Sequence, residues 1–198
     1  QSELGEIPEG WEISSLDKIA NYLNGLALQK YPPKGENDLP VIKIRELKQG
    51  ITENTDKANG IPSQYIVEDG DILFSWSGSL EVVIWGQGKG ALNQHLFKVT
   101  STNFPKWFYY YWTLEHIKVF KRVAQDKATT MGHIQRRHLS EAQVIVPKSD
   151  DFERMKLEQI IGKITINLKE LISLQKTRDL LLPKLMSGKI RIPIYNGV

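Results

Sequence analysis

Asp38 and the triplet Glu46-Leu47-Lys48 are the residues whose types could build a hydrolytic centre. Two carboxylates can hold Mg²⁺ and a lysine can sit beside an attacking water, which is the donor set of a Mg²⁺-dependent endonuclease. Glu-x-Lys is a common triplet, however. Asp38 follows Pro32-Pro33-Lys34-Gly35 and so sits in a loop, where such a centre needs it on a neighbouring strand. His95, His116, His133 and His138 show no His-x-x-x-His spacing for a metal. The absence of cysteine removes disulfides, thiolate zinc sites, iron–sulfur clusters and cysteine nucleophiles. Gly86-Gln87-Gly88-Lys89-Gly90 fits neither nucleotide-binding glycine pattern and reads as a turn. No catalytic residue, metal or cofactor is therefore expected on this chain.

What remains is contact chemistry. Gln29, Lys30, Lys43, Arg45 and Lys48 can form a basic strip. Ser75, Trp76, Ser77 and Ser79 follow a strand-like run. Asn93, Gln94 and His95 bring amide and imidazole groups. Thr129, Thr130, His133, Gln135, Arg136 and Arg137 make the densest polar and basic loop. Arg, Asn and Gln can pair bidentately with base edges, while Lys, Ser and Thr position phosphates. On residue types alone these are either contacts to double-stranded DNA or an idle polar surface, and Trp76 is either a contact or a core residue.

The charge pattern taken alone favours an ordinary solvated surface. The 198 residues carry a net charge of only +3, too little to name a partner. Segment by segment it is uneven. Residues 1–28 hold one basic residue against five acidic, and residues 102–148 hold eight against three. A local excess of that size can make a positive face on a nearly neutral protein. No apolar run approaches the roughly 18 residues of a membrane helix, and the polar, acidic start is no signal peptide. These features and the lack of cysteine predict a cytoplasmic location. The chain begins with Gln1 and not Met, which predicts trimming or processing.

Two textures divide the chain. Residues 1–149 alternate short apolar runs with turn signals. Strands are expected at Val41–Ile44, Asp71–Phe74, Val82–Trp85, His95–Val99 and Val144–Val146. Helices are expected at Leu16–Tyr22, behind Ser15 as N-cap, and after Pro105. The fold class is α+β, a mixed-sheet domain followed by a long C-terminal coiled-coil helix in residues 150–198. In that helix Leu157, Ile161, Ile164, Leu168 and Leu171 step by four and three, and Gln175, Arg178 and Leu182 keep the register. Over residues 152–182 it would be about 46 Å long. Asp150 and Asp151 suit its N-terminus, Pro183 marks a kink or end, and Gly188 a stop. A helix this long overhangs its domain, so the seam predicts a homodimer or partner interface. Ile160, Ile172, Leu174 and Leu181 fall outside the seam and widen the apolar stripe.

Several segments, in this order, resemble the target recognition domain of Type I restriction–modification specificity subunits. They are Ile7-Pro8-Glu9-Gly10-Trp11-Glu12-Ile13, Leu39 to Gly50, Gly70-Asp71-Ile72-Leu73-Phe74-Ser75-Trp76-Ser77-Gly78, Leu92 to Phe97, Leu139 to Pro147 and Leu182-Pro183-Lys184-Leu185-Met186-Ser187-Gly188. After Pro147 the sequence departs from the family's usual helix entry. The usual subunit carries two recognition domains and two long helices, and this chain has one of each. The resemblance implies a non-catalytic DNA-recognition subunit that recovers the missing symmetry by homodimerising. It would read a bipartite palindromic target. It would direct methyltransferase subunits, which bind S-adenosylmethionine and modify adenine, and restriction subunits, which use ATP and Mg²⁺. Ile160, Ile172, Leu174 and Leu181 would then meet the methyltransferase. The rival readings are a stand-alone Mg²⁺-dependent endonuclease and a coiled-coil interaction adaptor.

Overall fold

The computed structural model describes residues 5–126, 132–148, 152 and 157–191. In chain order the elements are β1 (Glu12–Ser15), α1 (Leu16–Ile19), β2 (Asn21–Asn24), β3 (Leu39–Ile42), α2 (Ile44–Gln49), β4 (Lys57–Ala58), β5 (Ile66–Val67), β6 (Ile72–Ser75), β7 (Val82–Ile84), β8 (Gly90–Leu92), β9 (Leu96–Thr100), α3 (Lys106–Asp126), α4 (Arg136–Glu141), β10 (Gln143–Val146) and α5 (Glu158–Met186). The expected α+β class is what the chain adopts.

Two four-stranded sheets form the domain. One has the order β2-β9-β6-β7 and is antiparallel throughout. The other has the order β4-β3-β8-β5, with β3 and β8 parallel. β1 and β10 make a separate antiparallel ribbon that ties the two ends of the domain together. The apolar alternation explains the layering. In β6, Ile72 and Phe74 enter the main cluster with α3, while Leu73 faces Leu92 and Leu96 in a second cluster. β6 is thus buried on both faces, which is why its sequence reads as a continuous apolar run.

One charge lies inside this layer. Lys98 pairs with Asp71 at 2.7 Å, with the two side chains only 16% and 20% exposed, and also donates to the Ile66 carbonyl. Removing one member leaves the other desolvated. Asp71→Asn and Lys98→Met are each expected to cost roughly 2–4 kcal/mol in chemical denaturation, and the double variant Asp71→Asn with Lys98→Met clearly less than their sum. Additive costs would show that the pair is not coupled.

Several expectations are corrected. α1 stops at Ile19 and Asn21–Asn24 is a strand, because Tyr22 pairs with Val99 and buries its ring against Phe74 and Phe97. Ser15 does not cap α1 through its side chain; its Oγ bonds Asp17. The run 41–44 is shifted two residues back to β3, Leu39–Ile42, since Ile44 begins α2, where Glu46 accepts the Lys43 N–H. Residues 135–137 are not loop: Gln135 is the N-cap of α4 and Arg136 and Arg137 open it. Pro183 lies inside α5, which runs on to Met186 and is stopped by Gly188 in the left-handed region. Asp150 and Asp151 lie outside the described residues.

The largest correction concerns the seam. Ile161 is 2% exposed and belongs to the main core cluster, against which Leu157, Ile164 and Leu168 also pack. Gly86 lets the helix approach: a Cβ there would stand 3.3 Å from Leu168 Cβ and 3.7 Å from Ile172 Cδ1. Lys169 pairs with Asp69 on the neighbouring turn at 3.2 Å. The first half of the predicted seam, and Ile172 beside it, therefore faces the chain's own domain. Leu171, Gln175, Arg178 and Leu182 remain exposed beyond it.

Candidate nucleic-acid interface

Four segments far apart in sequence meet at one edge of the antiparallel sheet. They are the end of β2, the turn after β6, the turn 93–95 between β8 and β9, and the approach to α4. Gly25 permits the first approach, since a Cβ there would fall 2.2 Å from the Asn93 carbonyl oxygen. Backbone bonds fix the rest. Trp76 N donates to the His95 carbonyl, Ile134 N to the Trp76 carbonyl and Gly78 N to the Gly132 carbonyl.

The centre of the edge is the Trp76 ring. It lies 5.9 Å from His95, 6.0 Å from Phe97 and 6.4 Å from His133, which meets it edge-on at 80°. A cavity of about 340 Å³ opens beside it, lined by Asn24, Trp76, Phe97, His133, Gln135 and Arg136 among others. A second cavity of about 370 Å³ is lined by Gln29, Lys43, Asp56, Lys57 and Asn93. The two groups join through the 93–95 turn, where Gln94 N donates to the Leu26 carbonyl and Asn93 N to the Ile42 carbonyl.

The predicted contact residues now divide. Gln29, Lys30, Arg45, Lys48, His133, Gln135, Arg136 and Arg137 are exposed. Trp76, Gln94 and His95 are half-buried at the edge. Ser75, Ser77 and Asn93 are corrected, being 0%, 8% and 5% exposed. Ser75 Oγ donates to the Ser79 carbonyl and accepts the Glu81 N–H, Ser77 Oγ bonds His95 Nδ1, and Asn93 Oδ1 accepts the His95 N–H. They shape the turns that carry the candidate contact residues. Lys43 is paired with Asp56, whose carboxyl the lysine holds below its ordinary range. Arg45 reaches Glu46 and the Asn54 carbonyl, and Lys48 donates to Ser79. Thr129 and Thr130 lie outside the described residues. Asn24 and Lys57 were missed by sequence reading, because single polar residues at strand ends carry no pattern.

Arg136 is also anchored from behind. Its Nη2 donates to the Tyr22 carbonyl at 3.1 Å and its guanidinium lies 5.5 Å from the Phe97 ring centre. Arg137 is exposed one position further on. If this face meets phosphates, Arg137→Ala is expected to reduce the slope of log affinity against log salt by about 1, with unchanged stability. Arg136→Ala is expected to do this and also to cost about 1 kcal/mol of stability. An unchanged slope in both would remove the start of α4 from the interface.

The two carboxylates of the nuclease reading are engaged in local structure. Glu46 is 1% exposed, and its Oε1 and Oε2 accept from Arg45 Nε and the Lys43 N–H at 2.9 and 3.1 Å. Asp38 accepts from the Lys34 and Gly35 N–H groups and from Asn59 Nδ2, and the Lys34 amide foremost holds its carboxyl below the ordinary range. Among the described residues no group of three or more His, Asp or Glu side chains is placed to hold a metal ion. No described helix is long and apolar enough to cross a membrane.

The family model for the Type I restriction modification DNA specificity domain matches residues 8–183. The chain belongs to that family. It is 26% identical over 199 residues to the Type I restriction enzyme MjaIX specificity subunit of Methanocaldococcus jannaschii, covering 94% of this chain and 46% of that one. It is 27% identical over 144 residues to the EcoBI specificity subunit of Escherichia coli, covering 71% and 30%. The specificity-domain fold is also seen in two solved structures. One is the Type I restriction–modification S subunit from M. genitalium, with a TM-score of 0.55 at 16% identity over 92% of this chain and 48% of that one. The other is the HsdS subunit from Thermoanaerobacter tengcongensis, at 0.53 and 13% over 96% and 48%. The chain thus spans less than half the length of each of these relatives.

Proposed function

We propose that this specificity domain is the non-catalytic DNA-reading part of a Type I restriction–modification enzyme. The observation that carries this is the edge where Asn24, Trp76, Gln94, His133, Gln135 and Arg136 converge from four segments. Amide, imidazole and guanidinium groups there surround an aromatic ring, beside exposed Gln29, Lys30 and Lys57. Such a set combines base-edge readers with phosphate contacts.

One recognition domain reads one half-site. Two copies joined through the exposed half of α5 would present two identical domains and select a bipartite palindrome. The 29 residues of α5 span about 44 Å, more than one DNA turn of about 34 Å, which leaves an uncontacted gap between half-sites. Methyltransferase subunits, with their S-adenosylmethionine, and restriction subunits, with ATP and Mg²⁺, would assemble on the same helices in the cytoplasm. Ile160, Leu174 and Leu181 are exposed there, and they are the residues we assign to the methyltransferase contact.

The test is methylation mapping of DNA treated with the chain reconstituted with its methyltransferase subunits. Adenine methylation at a palindromic two-part sequence is expected. Methylation that ignores sequence, or cleavage by the purified chain and Mg²⁺ alone, would overturn the reading.

A further inference from the structure

Asn24 is exposed at the end of β2, and its Oδ1 lies 2.9 Å from Trp76 Nε1. An indole N–H can only donate. The Asn24 amide must therefore turn its oxygen to the ring, and this chemistry fixes which end of the amide is which. The same indole N–H also reaches the Gln94 carbonyl at 3.2 Å, so the ring itself is held in place. Nothing among the described residues accepts from Asn24 Nδ2. Its two N–H donors are thus available at the mouth of the cavity that Asn24 lines with Trp76, His133, Gln135 and Arg136. Gly25 presses this strand end onto the Asn93 carbonyl, so the position of the amide is set by backbone as well as by the indole.

We propose that Asn24 is a specificity-determining residue of this chain and that Trp76 is its positioning residue. The proposal rests on the reading of this edge as the DNA-contacting face. A free asparagine reads adenine by accepting from N6 and donating to N7. With one lone pair of its oxygen taken by Trp76 and the carbonyl turned toward the ring, Asn24 faces the cavity chiefly with its two N–H donors. It selects a base edge rich in major-groove acceptors, guanine N7 and O6 or thymine O4, most strongly over cytosine, which presents only an amino donor, and more weakly over adenine, whose N7 accepts beside its amino group. Neither residue belongs to a sequence pattern that reveals the coupling; it comes from a contact across 52 positions.

The experiment selects duplexes from a randomised pool with the purified full chain, alone and with its methyltransferase subunits, and reads base preference at every position. Wild type is expected to favour guanine or thymine at one position governed by Asn24. Asn24→Asp replaces donors by a carboxylate that still accepts from the indole, and is expected to move that preference to cytosine or adenine. Trp76→Phe keeps an aromatic ring and loses the N–H, and is expected to reduce discrimination at that position about tenfold. A thermal midpoint and circular dichroism spectrum near those of wild type would separate this loss from a collapsed fold. If wild type enriches no sequence in either form, the DNA-reading role falls and the inference with it. If wild type enriches a sequence and Asn24→Asp and Asn24→Ala leave every position unchanged, the inference alone is overturned.

Discussion

Ile161→Asp is expected to lower the thermal midpoint by about 8–16 °C, whereas Ile166→Asp, five residues along the same helix, should change it by less than about 2 °C. Both substitutions put a carboxylate on α5 in place of the same side chain. Ile161 is 2% exposed in the main core, and Ile166 is 65% exposed. A carboxylate at 161 would lose its hydration within the main core cluster, at a cost of roughly 4 kcal/mol. At 166 it stays in water. Differential scanning calorimetry reads both. Equal small shifts would mean that α5 is not docked on the domain, and that the whole seam is open for a partner.

That comparison isolates the point where sequence periodicity misleads. A four-and-three stepping of Leu157, Ile161, Ile164, Leu168 and Leu171 states that one face of a helix is apolar, and it does not state what covers that face. The strands around Asp71–Phe74, Val82–Trp85 and Val144–Val146 were legible because each is a run of β-branched or aromatic residues closed by turn signals. β4, β5 and β8 were not. They are two or three residues long, and β8 contains Gly90 and Ala91, which have low strand propensity. They become strands because β3 lies between β4 and β8 and pairs with both, and β8 in turn pairs with β5. Tyr22 shows the same override in α1, where a ring buried against Phe74 and Phe97 decides strand over helix.

The candidate interface was legible by composition and not by geometry. Gln94, His133, Gln135 and Arg136 stand out as polar residues near turns, and the fold gathers them at one edge. Ser75, Ser77 and Asn93 stand out equally and prove to be buried, because a hydroxyl or amide in a tight turn serves the backbone as readily as a ligand. Sequence cannot separate the two uses. Arg136 combines them, with its guanidinium held by the Tyr22 carbonyl while the residue remains exposed on the surface. Asn24 carried no signal at all, since its role depends on an indole 52 positions away.

The double substitution Leu171→Glu with Leu182→Glu is expected to abolish self-association while leaving the thermal midpoint of the domain within about 2 °C. Both leucines lie beyond the docked half of α5, 51% and 49% exposed, and Leu174 and Leu181 extend the same open face. In a two-fold dimer each substitution is present twice, so four leucine side chains leave the interface. At about 2 kcal/mol each, the loss is roughly 8 kcal/mol, close to six orders of magnitude in dissociation constant. Light scattering at micromolar concentration should show wild type at twice the monomer mass and the variant at the monomer mass. Arg178 sits within the stripe, and its pairing with Asp179 at 2.7 Å keeps the charge balanced at the rim. The same variant separates dimer from methyltransferase docking. If wild type is monomeric and the double variant loses the methyltransferase instead, the exposed half of α5 is a partner surface, and the palindromic target falls with the homodimer.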